Sequence, residues 1–119
     1  MTATGYAATE AQCQATIVAA ARTTGWRVLA IRPALNRRGR WASPIQGDPG
    51  YPDLTLAHPR AGRVIFVELK RHPNRLEPNQ AAWGDALHRA GADWRLIYVP
   101  DQLDAFCQEL ADIAQGVNP

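Results

Sequence analysis

Apolar residues recur along this chain in two rhythms. Over residues 9–24, Cys13, Ile17, Ala20, Ala21 and Thr24 return at helical spacing, which predicts a helix with one inward stripe. Thr9 and Gln12 make a capping-box pattern at its start, and Gly25 supplies its stop. Residues 26–32 read as a strand that Pro33 ends. Two further strands are expected at about 53–57 and 63–70, joined by the connector 58–62 in a hairpin. Pro78 and Gly91 bracket a second helix over about 78–90. Residues 94–99 read as a fourth strand, and Pro100 and Asp101 open a last helix that runs to about 115. Its inward face is Leu103, Phe106, Cys107, Leu110 and Ile113. The order α-β-β-β-α-β-α defines an α/β domain, and 119 residues suit one domain over 1–119.

The stretch 34–51 is the exception, a long loop rich in Gly, Pro and Arg. Loops of that length inside a small domain are usually functional or disordered.

Composition adds little by itself. The net charge of +2 is too small to argue for a nucleic-acid partner. No apolar run approaches the roughly 20 residues that span a bilayer. The N-terminus has no basic segment followed by an apolar one, so no signal peptide is read and a cytoplasmic location, in a cell or a virus-infected cell, is expected, with no membrane partner. Cys13 and Cys107 lack metal-site spacing and read as small buried side chains. One detail does matter: of thirteen basic residues, Lys70 is the single lysine and the rest are arginine.

Lys70 stands at the end of the hairpin's second strand, two residues after Glu68. Alternation along that strand puts Glu68 and Lys70 on one face with Val64 and Phe66, and Ile65, Val67 and Leu69 on the other. Two largely apolar faces predict a buried central strand. If positions 57 and 63 pair, Asp53 lies opposite Val67; a one-residue change in the turn brings it opposite Glu68. Either way two carboxylates approach each other and repel. Lys70 or a hard cation would neutralise them, and Mg²⁺ prefers oxygen ligands of this kind. The Leu69 carbonyl, between the two motif residues, is a further candidate ligand. Glu10 precedes Cys13, Ile17 and Ala21 on the stripe of the first helix, so it is expected to face inward as a third carboxylate. The alternative is that it merely favours the positive end of the helix dipole. Gln80 precedes Trp83, Leu87 and Ala90 in the same way and is expected on a buried stripe, where its amide would need partners.

Gly50-Tyr51-Pro52-Asp53 followed by Glu68-Leu69-Lys70 resembles the PD-(D/E)xK nuclease superfamily, and within it the VRR-NUC (virus-type replication-repair nuclease) domain. That family is known for an acid on its first helix, a Gly-x-Pro-Asp turn, a Glu-x-Lys strand and a Gln on the following helix. Glu10 and Gln80 fill the outer two positions. The resemblance covers roughly residues 9–100. It implies a restriction-endonuclease-like core with a mixed central sheet flanked by helices. It further implies metal-dependent hydrolysis of DNA, with Asp53, Glu68, Glu10 and the Leu69 carbonyl around Mg²⁺ (or Mn²⁺), Lys70 steadying charge or orienting water, and Gln80 supporting the nucleophile or phosphate. The residues ahead of Gln80 depart from the Ser or Thr the family often has there.

Two basic groups flank these acids. Arg37, Arg38, Arg40 and Trp41 precede the Pro-Asp turn, and Arg71, His72 and Arg75 follow Lys70. Both suit phosphate contacts, with Trp41 offering a stacking surface. No groove-reading helix is evident, so recognition of DNA shape is expected over base sequence. Analogy with Holliday-junction resolvases suggests a homodimer acting on branched DNA in replication, repair or recombination. The alternatives are a DNA-binding scaffold without turnover and an RNA endonuclease of the same fold.

Overall fold

The computed structural model describes residues 8–31 and 46–117. Helix α1 (Glu10–Thr23) leads into strand β1 (Arg27–Ala30). Strands β2 (Leu54–His58) and β3 (Arg63–Lys70) form the hairpin. Helix α2 (Pro78–Arg89), strand β4 (Asp93–Tyr98) and helix α3 (Leu103–Ala114) complete the chain. The expected order is found, with boundaries within a few residues. The capping box of α1 is present as read: Thr9 Oγ1 accepts from the Gln12 amide, and Gln12 Oε1 accepts from the Thr9 amide.

The sheet runs β1-β2-β3-β4. Its first two pairings are antiparallel and the last is parallel, so the sheet is mixed. One face carries Leu54, Leu56, Ile65, Val67, Leu69 and Ile97. These join Cys13, Ile17 and Ala21 of α1 and Phe106, Leu110 and Ile113 of α3 in one core. Trp26 locks the two helices' ends together, its indole N–H donating to the Leu110 carbonyl. The opposite face is covered by α2 at Trp94, where Gly84 is the helix's one buried residue. Farther along that face Val64 is 42% exposed and Leu29 56% exposed. The expectation of a strand apolar and buried on both faces therefore holds for the Ile65 face and only in part for the other.

Two further expectations change. The hairpin pairs His58 with Arg63, not residue 57 with it, because His58 stays in the strand. Its buried ring accepts from the Ala61 amide at Nδ1 and lies 3.0 Å from the Thr24 carbonyl at Nε2. With Nδ1 accepting, Nε2 carries the proton and donates. The turn thus shrinks to four residues, closed by Gly62 in the left-handed region at φ +67°. The stripe expected on α2 also differs. Gln80, Trp83 and Leu87 are half-buried and Ala90 is exposed. The helix approaches the sheet through the missing side chain of Gly84, and a large apolar residue there would hold it away.

Candidate active site

The one-residue change in the hairpin decides where Asp53 stands. With Leu54 opposite Val67, the next pair outward is Asp53 and Glu68, on the same face as Phe66 and Lys70. Asp53 is gripped from both neighbouring strands. Its carbonyl accepts from the Ile31 amide at 2.9 Å, and its Oδ2 accepts from the Leu69 amide at 2.8 Å. Leu69 thus joins the site through its N–H.

Each residue of the turn has its own anchor. Gly50 sits at φ +96°, and a Cβ there would lie 2.5 Å from the Asn79 carbonyl carbon. Only glycine combines that dihedral with that approach. Tyr51 packs edge-on against Phe66 and Trp83, and its hydroxyl is 2.9 Å from Thr55 Oγ1. Trp83 Nε1 donates to the Asp48 carbonyl. Pro52 is fully buried. The turn is therefore clamped between the sheet and the first turn of α2, which brings Asp53 near the helix that carries Gln80.

Glu68 is only 2% exposed. Burial, then the charge of Asp53 and a hydrogen bond shared with it, push the Glu68 carboxyl up to about 8; Lys70 opposes and Glu10 adds to the rise. Like charges this close oppose each other's ionisation. A divalent cation would take the place of the Glu68 proton, and two converging carboxylates are the donor set that Mg²⁺ prefers. Among the described residues no three His, Cys, Asp or Glu side chains form a ready ligand cluster. Asp53 and Glu68 meet as a pair, while Glu10, half-buried at the start of α1, acts on Glu68 through space.

The remaining candidates divide. Arg71 is half-buried and its Nη1 donates to the Ala8 carbonyl, so it tethers the start of α1 to the end of β3. That tether holds the helix that carries Glu10 against the end of the strand that carries Glu68. His72 and Arg75 are exposed. His72 stacks on Tyr98, the cross-strand neighbour of Lys70. Gln80 Oε1 accepts from the Glu77 amide as part of a capping box, which leaves its amide nitrogen for other partners. Arg37, Arg38, Arg40 and Trp41 lie outside the described residues. Gln14 was missed: it is 6% exposed and one turn beyond Glu10, a spacing that helical periodicity alone could have flagged.

A mixed sheet of this order, with a helix before it and helices after its third and fourth strands, is consistent with the restriction-endonuclease-like α/β fold. The VRR-NUC domain family model matches residues 10–101, so the chain belongs to that family, and the match makes it a nuclease-type domain. A solved structure described as a VRR_NUC domain is similar at a TM-score of 0.60 and 24% identity, covering 85% of this chain and 97% of that one. At this identity the likeness speaks for the fold. No curated protein matches the chain. No described helix is long and apolar enough to cross a membrane.

Proposed function

We propose that this protein is a metal-dependent endodeoxyribonuclease that cuts branched DNA as a homodimer. The observation that carries the catalytic part is the Asp53–Glu68 carboxyl pair, Glu68 buried and Asp53 half-buried, on the sheet face that also bears Lys70. Asp53 and Glu68 would hold Mg²⁺, with Glu10 and the Leu69 carbonyl as further candidates. The cation supplies a lowered pKa for water and charge neutralisation at the phosphate.

The chain's own groups do the rest. The Leu69 amide fixes one Asp53 oxygen and so sets the carboxylate beside Glu68. Burial of Glu68 strengthens every electrostatic contact made there. Lys70, beside two acids, stabilises negative charge developing on the scissile phosphate. Gln80 offers its amide nitrogen to the phosphate or the attacking water. Arg75, His72 and the Arg37–Trp41 group supply backbone contacts that position DNA without reading sequence.

The test is cleavage of plasmid and branched DNA with Mg²⁺ or Mn²⁺, beside Glu68→Ala and Lys70→Ala. Cutting by the unaltered chain and its loss in both variants supports the reading. A chain that binds DNA without cutting it is a scaffold, and preferential cutting of RNA redirects the substrate class. Branch selectivity fails if single-turnover cutting of linear duplex is as fast as that of a four-way junction. Solution mass measurement tests the dimer.

A further inference from the structure

Beyond the carboxylate pair, the same end of the sheet carries a feature that hydrolysis does not use. His72 and Tyr98 stack with ring centroids 4.1 Å apart and planes within 12°. Parallel pairing sets Tyr98 beside Lys70, on the same face as Glu68. The Tyr98 ring is held from several sides. Its hydroxyl donates to the Asn74 carbonyl, and its amide donates to Gln102 Oε1. The 71–74 turn, closed by the Asn74 amide on the Arg71 carbonyl, carries His72 over that ring. Asp101 Oδ2 lies 3.9 Å from His72 Nε2, near the ring's outer edge but beyond hydrogen-bond distance.

Tyr98 covers one face of the imidazole, yet the His72 side chain remains 64% exposed. The stack therefore presents a planar π surface to solvent, on the strand neighbour of Lys70 and three residues ahead of the exposed Arg75 in sequence. A ring already stacked on one face has less rotational freedom to lose when another ring settles on it.

We propose that the His72–Tyr98 stack is a platform for an unpaired nucleobase next to the scissile phosphate, and that it sets a preference for DNA with unpaired bases at the cut. The inference rests on the nuclease reading above and adds a substrate determinant to it. A base inside a duplex has both faces covered by its neighbours and has none to offer. A base at a branch, bulge or single-strand junction has a free face, and stacking on an aromatic ring is tolerant of sequence. His72 is thus a specificity-determining residue whose ring matters more than its charge.

The experiment follows from that distinction. DNA carrying 2-aminopurine at an unpaired position beside the cut is bound to Glu68→Gln protein, and fluorescence quenching is read with His72, His72→Phe and His72→Lys. Quenching is expected with His and Phe and is expected to vanish with Lys. In the cleaving chain, the kcat/KM ratio of unpaired over fully paired substrate should fall about tenfold in His72→Lys and recover in His72→Phe. Equal quenching and an equal ratio with Lys would overturn the platform, since charge alone would then suffice. If the unaltered chain cuts DNA but neither readout responds to His72, this inference alone fails. If it cuts no DNA at all, the nuclease reading itself is lost.

Discussion

The Leu69 amide lies 2.8 Å from Oδ2 of Asp53, so strand β3 supplies Glu68 and also positions the acid that faces it. Backbone and side chain of adjacent residues on one strand thereby set both halves of the pair. Removing the Asp53 charge while keeping an acceptor separates the two roles. Asp53→Asn should retain the Leu69 contact and the fold. Cleavage should drop by about 10²–10³, the scale for loss of one charge-stabilising group in such a site. A circular dichroism melt beside a cleavage assay checks both halves of this expectation.

The pH dependence of stability follows from Glu68. Its carboxyl is raised from the ordinary 4.5 to about 8, first by burial and then by Asp53. Between those values the folded chain holds a proton that the unfolded chain has lost. This group's contribution is complete below the lower value and disappears as pH rises to the upper one. Metal-free protein should therefore lose stability across that window, and Glu68→Gln should flatten the loss. Mg²⁺ should raise the melting temperature more at the alkaline end, where no proton competes with it. Unfolding midpoints measured along a pH series, with and without the ion, decide the matter.

Gly84→Ala sets two effects against each other. Alanine favours a helix over glycine by about 1 kcal/mol. Here its Cβ would lie 2.6 Å from the Trp94 ring, in a contact where the indole N–H is already sealed without a partner. The clash should win, and the variant should melt below the parent. A rise in melting temperature would show that α2 can lift off the sheet at little cost.

Arg95 ties three elements together. It donates to both Asp93 oxygens and to both Glu109 oxygens, while Arg63 reaches Asp93 from β3. Burial works to raise the Asp93 carboxyl, but its bonds to Arg95 and Arg63 hold it below its ordinary value. Stability from Asp93 is thus present above the ordinary aspartate range and is lost as pH falls through the lowered value. Arg95→Met should cost about 1–3 kcal/mol in urea unfolding at neutral pH, the scale of hydrogen bonds to charged groups. The deficit should narrow in acid.

Much of this architecture is legible in the chain because side chains announce it. The stripe Cys13, Ile17, Ala21 and the alternation Ile65, Val67, Leu69 each put apolar bulk on one face, and the structure buries all six. What stayed hidden depends on groups without such a signal. His58 looked like part of a connector, since Pro59 and Gly62 follow it; its place in the ladder comes from contacts to Thr24 and Ala61 that no local pattern encodes. Gly84 has no side chain to count, yet it is the residue through which α2 meets the sheet. Arg71 was expected among the phosphate contacts beside Lys70, and its tie to Ala8, 63 residues away in sequence, is one that no local pattern encodes. Asp53, Glu68 and Lys70 were readable as a motif, whereas the burial that raises the Glu68 carboxyl needed three-dimensional proximity.

The contact between Gly50 and Asn79 has a further effect on how this domain can change. It fixes the four residues ending at Asp53 against the first turn of α2, much as a bracket fixes a blade. Insertions ahead of Asp48, whose carbonyl Trp83 also holds, should leave the acid in register. One residue added between Gly50 and Asp53 would swing the carboxylate to the wrong side of the sheet.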